Sequence, residues 1–126
     1  MAKRVLIADD SILIRRMIAE ILSQAGWEVA AEAGNGAEAV AKYIECRPDV
    51  VTLDIVMPGT DGMYALEGIL AADPQAKIVV VSALNQTKLI SEAIRKGAQD
   101  FIAKPFLPEQ LLETVSNCVG ETPIAV

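Results

Sequence analysis

Three stretches of the chain, "VLIA" at residues 5 to 8, "VVTL" at 50 to 53 and "IVVV" at 78 to 81, are apolar and largely β-branched, with almost no polar interruption. A strand with one wet face alternates apolar and polar residues, whereas a strand covered on both faces reads as a continuous apolar run. Such runs therefore demand a sheet buried between two layers. Five of them are expected as strands: Arg4 to Ala8, Glu28 to Ala31, Val50 to Leu53, Ile78 to Val81 and Phe101 to Ala103, the second being shorter and more polar.

Helical periodicity fills the intervals. In "ILIRRMIAEILSQAG" the positions Ile14, Met17, Ile18, Ile21, Leu22 and Ala25 follow the spacing of one helix face, and Gly26 supplies a stop. A second helix is expected after Asn35, with Ala37, Val40, Ala41 and Ile44 on its apolar face, a Glu38 to Lys42 pair outside, and an end before Pro48. Further helices are expected from Gly62 to Ala72, closed by Asp73-Pro74, from Gln86 to Lys96, stopped by Gly97, and from Pro108 to about Val119. Strand and helix alternate five times, which implies right-handed crossovers and a doubly wound α/β sandwich of three layers around a parallel sheet.

The 126 residues suit one domain, expected over 1 to 120, with "ETPIAV" at 121 to 126 as a short C-terminal tail. A net charge of −6 and a pI near 4.6 have the wrong sign for a surface that holds phosphate backbones, so direct nucleic-acid binding is not expected. No apolar run approaches the roughly 18 residues of a membrane span, and the start of the chain lacks a signal-peptide core; a cytoplasmic protein without membrane insertion is expected. Cys46 and Cys118 have no metal-ligand spacing and read as reduced thiols. There is no histidine, which excludes Ser-His-Asp and Cys-His catalysis within this chain.

In doubly wound sheets the working crevice lies beyond the carboxyl ends of the strands. Those ends carry Asp9 and Asp10, Asp54, Ser82 and Lys104. Carboxylates held about 4 Å apart repel by roughly 4 kcal/mol per pair at an effective dielectric near 20, so a cluster of them must take up protons or a cation. An all-oxygen donor set with room for water and phosphate suits Mg²⁺, with Mn²⁺ as a substitute, better than Ca²⁺. A hard cation, an ammonium and a hydroxyl around one carboxylate are the components of phosphoryl transfer to an aspartate, with Asp54 as the natural acceptor. A phosphohistidine donor would have to come from another protein.

The segments "VLIADDS", "VVTLDIVMPGTDG", "IVVVSA" and "DFIAKPF" resemble the motifs of the two-component response-regulator receiver family, and in particular its stand-alone chemotaxis type. The resemblance covers the chain to about residue 120. It implies a flavodoxin-like sheet of order 2-1-3-4-5, phosphorylation of Asp54 by a histidine kinase or phosphotransfer protein, and Mg²⁺ held by Asp10 with support from Asp9, by Asp54, and by the backbone carbonyl of Val56. It further implies that Ser82 and Lys104 grip the phosphoryl oxygens, that Phe101 is the aromatic that turns inward in the switch, that the Lys104-Pro105 bond is cis, and that a downstream protein reads the surface of helix 4, strand 5 and helix 5. Such a chain is a signalling switch rather than an enzyme, with self-catalysed phosphoryl acceptance and autodephosphorylation.

Plainer readings stand beside these. Asp9 and Asp10 suit a helix N-cap. Asp54 suits the start of the turn completed by Pro58-Gly59, Asp61 a turn, and Ser82 a cap. Lys104 suits a solvated loop, Phe101 the core, and Leu89, Ile90, Ala93 and Ile94 the buried stripe of helix 4. Competing functions are a receiver excised from a longer regulator, a phosphohydrolase working through an aspartyl phosphate, a flavin carrier, and an unphosphorylated interaction module. The phosphohydrolase wants a second acid two residues beyond the nucleophile, where Val56 stands; the flavin carrier wants a glycine- and hydroxyl-rich loop where "DDSILI" stands. Val56 and Leu84 are apolar where some relatives are polar, and are expected to exclude water from the acyl phosphate.

Overall fold

Each apolar run forms a strand, and each periodic stretch a helix packed on the resulting sheet. The computed structural model describes residues 3–57 and 62–120, apart from the side chain of Leu84. In chain order the elements are β1 (Arg4–Ala8), α1 (Ile12–Gln24), β2 (Glu28–Ala33), α2 (Gly36–Cys46), β3 (Val50–Asp54), α3 (Gly62–Ala72), β4 (Ile78–Ala83), a 3₁₀ turn (Leu84–Gln86), α4 (Thr87–Lys96), β5 (Asp100–Lys104) and α5 (Pro108–Cys118). All neighbouring strands are parallel, in the order β2-β1-β3-β4-β5. The expected turn at Pro58-Gly59, Asp61 and the tail at 121–126 lie outside the described residues.

Alternation along the strands divides the core in two. Leu6, Ala8, Val51, Leu53 and Val80 face Ala39 and Tyr43 of α2, Leu66 and Ile69 of α3, and Ala93 of α4. On the other face Val5, Ile7, Val50, Val79 and Ile102 meet Ile18 and Leu22 of α1 and Leu111 and Val115 of α5. No helix among the described residues is long and apolar enough to cross a membrane.

The strands run further than their apolar letters. Ladder pairing carries β3 through Asp54, opposite Val81, and β4 and β5 through the pairs Ser82 with Ala103 and Ala83 with Lys104. Asp54, Ser82 and Lys104, expected beyond their strands, are thus held within the sheet, while Asp9 and Asp10 follow β1. α4 starts at Thr87, because residues 84 to 86 form the tighter 3₁₀ turn.

The apolar face expected for α2 is rotated from the one observed. Ala37 and Ala41 are exposed and Ile44 is 50 % exposed, while Gly36, Ala39 and Tyr43 are buried and Val40 partly so. The rotation is set by the crossing with α3. A Cβ added at Gly68 would lie 2.7 Å from Val40 Cγ2, so the glycine lets the two helices approach around Val40. Met17 of α1 and Ile94 of α4, both expected in apolar stripes, are each 41 % exposed, at the margins of their buried faces.

Tyr43 completes this seating. Its hydroxyl donates to Asp73 Oδ2 at 2.7 Å, just beyond α3. Burial, then the Asp73 carboxylate, push the phenol up from 10.0 to about 12, while the Tyr43 hydrogen bond holds the Asp73 carboxyl below its usual value. Since the folded state keeps the phenolic proton more tightly than the unfolded chain does, this stabilisation is complete below pH 10 and is lost as pH rises to about 12. Denaturant midpoints followed across that interval should fall more steeply for the wild type than for Tyr43→Phe; parallel profiles would remove the hydrogen bond from the account.

Candidate functional site

At the carboxyl edge of the sheet one cation meets two buried carboxylates. The Lys104 ammonium lies 2.8 Å from Asp9 Oδ2 and 3.2 Å from Asp54 Oδ2, although 95 and 50 residues separate the partners in sequence. Asp9 and Asp54 are buried, and the Lys104 side chain is 24 % exposed. Asp10, exposed at the rim, brings a third carboxylate: one oxygen each from Asp9, Asp10 and Asp54 lies within 4.8 Å of the others.

The backbone fixes the buried pair. Asp54 Oδ1 accepts the Val56 N–H at 3.0 Å, and Asp9 Oδ1 accepts the Ser11 N–H at 2.9 Å. In each case an aspartate side chain closes the turn that follows its own strand. The cap of α1 is Ser11, whose Oγ accepts the Ile14 N–H, so Asp9 and Asp10 are not its N-cap. Arg15 adds a second lock, its Nη1 donating to the Asp9 carbonyl at 2.6 Å and its Nε to Glu32 Oε1 at 3.1 Å.

Burial raises the Asp54 carboxyl above its ordinary value; the Val56 N–H opposes this, the Asp9 charge adds to it, and Lys104 counters it. For Lys104, burial pulls downward, but the hydrogen bond to Asp9 and the charges of Asp54 and Asp9 outweigh it and the ammonium is held above its ordinary value. Three carboxylates against one ammonium leave an excess of two negative charges, the complement of one divalent cation. The donors are all oxygens, which fits a hard ion such as Mg²⁺. Chemically the arrangement offers a carboxylate nucleophile, a cation beside it and a seat for a metal.

The expected residues do not all converge. Asp9, Asp10, Asp54 and Lys104 are brought together. Ser82, 1 % exposed near the end of β4, donates its hydroxyl to Gln86 Oε1 at 3.1 Å instead of to the acidic cluster. Val56 adjoins Asp54 through its N–H, and the residue is 47 % exposed. Phe101 is not core: on the edge strand β5 it is 40 % exposed. The Lys104-Pro105 peptide is cis, as expected.

Three contributors gave no clear sign in the sequence. Arg15 looks like a solvated charge on α1, and Gln86 like an ordinary helix start. Gly62 reads only as the beginning of α3, yet its N–H donates to the Ile55 carbonyl at 3.1 Å, and an added Cβ would sit 2.3 Å from the Asp54 carbonyl oxygen. The signal that could have found it is a glycine soon after the candidate acceptor, where two backbones must approach closely.

The model of the response regulator receiver domain matches residues 5–116. The chain belongs to that family. Receiver domains are phosphorylation-activated switches of two-component signalling; they bind Mg²⁺ at an acidic pocket and pair with histidine kinases and downstream targets. This receiver is 51 % identical to the chemotaxis protein CheY of Thermotoga maritima over 93 % of its own length and 98 % of that protein. It is 50 % identical to the CheY of Bacillus subtilis, over 95 % and 100 %. Among solved structures it is similar to the response regulator domain of Thermotoga maritima CheB, at a TM-score of 0.88 and 36 % identity, covering 98 % of this chain and all of that one. It is also similar to a chain of the CheX–CheY–BeF3–Mg²⁺ complex from Borrelia burgdorferi, at a TM-score of 0.87 and 36 % identity, covering 91 % of this receiver and 87 % of that chain.

The close approach at Gly62 generates a test. Gly62→Ala should destabilise by about 1–3 kcal/mol, the usual range for overpacking, because the end of β3 and the start of α3 must separate. Gly34→Ala, whose Cβ would meet nothing nearer than 3.5 Å, should cost less. Urea unfolding of both variants decides it; equal losses would mean that the approach at Gly62 is not tight in solution.

Proposed function

We propose that Asp54 is the phosphoacceptor of a chemotaxis-type switch, taking its phosphoryl group from the phosphohistidine of a cytoplasmic kinase or phosphotransfer protein. The observation that carries this reading is the meeting of Asp9, Asp10, Asp54 and Lys104 in one acidic pocket. An Asp54 carboxylate oxygen forms the new bond to phosphorus as the phosphorus–nitrogen bond of the donor breaks, its electron pair going to the departing imidazole. Lys104, already beside Asp54, balances charge on the transferred group, and Ser82 donates to a second phosphoryl oxygen once its hydroxyl leaves Gln86. Asp9, Asp10, Asp54 and the Val56 carbonyl would hold Mg²⁺, with Mn²⁺ as substitute. When bound, the ion neutralises developing charge on the equatorial oxygens.

The product is an altered α4, β5 and α5 surface for a downstream protein, with Ser82 and Phe101 as switch residues. The CheX–CheY complex among the similar structures supports a protein as the target. A swing from 1:99 to 99:1 between two states needs about 5.5 kcal/mol of differential interaction. Val56, apolar two residues beyond Asp54, supplies no acid for steady phosphate-ester turnover, which weighs against a phosphohydrolase.

Asp54→Asn should take no label from a small acyl phosphate with Mg²⁺, as read by intact mass, and chelation should suppress labelling of the wild type. Label on Asp54→Asn would move the acceptor elsewhere. Ser82→Ala should still accept the group while showing a weaker conformational response. Separately, the exposed Val56 side chain is proposed to obstruct an attacking water together with Leu84, whose side chain lies outside the described residues. Val56→Asn with Leu84→Glu should accelerate autodephosphorylation, and an unchanged rate would remove that role.

A further inference from the structure

A serine hydroxyl has one proton to donate. In Ser82 that proton goes to Gln86 Oε1 at 3.1 Å, and with Ser82 only 1 % exposed solvent hardly competes for it. The acceptor is unusually placed. Gln86 ends the 3₁₀ turn and stands at the N-cap of α4, with φ −107° and ψ 36°, yet its side chain makes no capping bond to the helix that follows. Its amide is turned back onto β4.

We propose that Gln86 is a latch on Ser82, a positioning residue that holds the hydroxyl in the resting state and must release it before Ser82 can donate to a phosphoryl oxygen. The latch rests on the reading of Asp54 as acceptor and Ser82 as phosphoryl ligand. Two acceptors, the Gln86 amide oxygen and the incoming phosphoryl oxygen, compete for one proton, so occupation of one excludes the other. The resting balance is therefore set partly by a residue outside the acidic cluster.

The position of Gln86 gives release a mechanical consequence. Gln86 gives the start of α4 no side-chain cap, while the helix is fixed further along by the buried Ile90 and Ala93 and by the Lys96–Glu67 ion pair to α3. Freeing Gln86 loosens the 3₁₀ turn and the first turn of α4 while the far end stays tied. A local event at Ser82 is thereby delivered to the start of a helix on the proposed output surface.

A double-mutant cycle on the full chain tests this, with beryllium trifluoride in saturating Mg²⁺ as the phosphoryl mimic and calorimetric affinity as the readout. Gln86→Ala should bind the mimic roughly two- to tenfold more tightly than wild type, the range for one intramolecular hydrogen bond. In a Ser82→Ala background the same substitution should change nothing, since the contested proton is gone. A general structural effect of residue 86 would appear equally in both backgrounds and would overturn the proposal, as would weaker binding or no change in Gln86→Ala alone. Wild type that fails to bind the mimic, or binds it equally well as Asp54→Asn, removes the reading of Asp54 and the latch with it. Intact Asp54-dependent binding without the cycle's coupling removes the latch alone.

Discussion

The Lys104 ammonium between Asp9 and Asp54 is the constraint on which the working edge of this protein depends. Two buried carboxylates side by side repel, and withdrawal from water adds to the cost. The fold offsets this locally with one cation and two backbone N–H groups, those of Ser11 and Val56. The compensation is incomplete, because Asp10 adds a third charge at the rim. The pocket is thereby left attractive to a divalent cation and receptive to a group whose oxygens Lys104 can meet.

Around that pocket the scaffold trades side chains for backbone proximity. Gly62 lets the start of α3 press against the end of β3, so the turn carrying Val56 N–H stays where Asp54 needs it. Arg15 ties α1 to the Asp9 carbonyl and to Glu32, fixing the first strand end from the helical layer. Beside these strand ends stand Ser82 and Phe101, neither joined to the acidic cluster. Ser82 is tied to Gln86 at the junction of the 3₁₀ turn with α4, and Phe101 lies on the edge strand where only one side is paired.

The layers were legible because their cause is local. A strand such as Val50–Asp54, buried along its whole length, leaves a nearly continuous apolar run, and α1 shows its stripe because Ile18 and Leu22 are buried against the sheet while the opposite side of the helix meets water. The buried face of α2 departs from its apolar period for the opposite reason. Ala37, Ala41 and Ile44 satisfy a helical period, but the rotation is decided by Gly68 admitting Val40 and by Tyr43 reaching Asp73. Phe101 has the composition of core and the position of an edge, and position prevailed.

The chain alone determined that strands end in carboxylates, that helices separate those strands, and that an ammonium follows the last strand, because each is a property of a few consecutive residues. Tertiary structure decided which of these groups meet. Placing β3 between β1 and β4 brings Asp54 beside Asp9, and the long lysine side chain at the end of β5 reaches both despite the intervening β4. It also decided that Ser82 answers to Gln86 and that Gly62 abuts Asp54, since hydrogen-bond partners and backbone approaches depend on distances in space that no run of letters encodes.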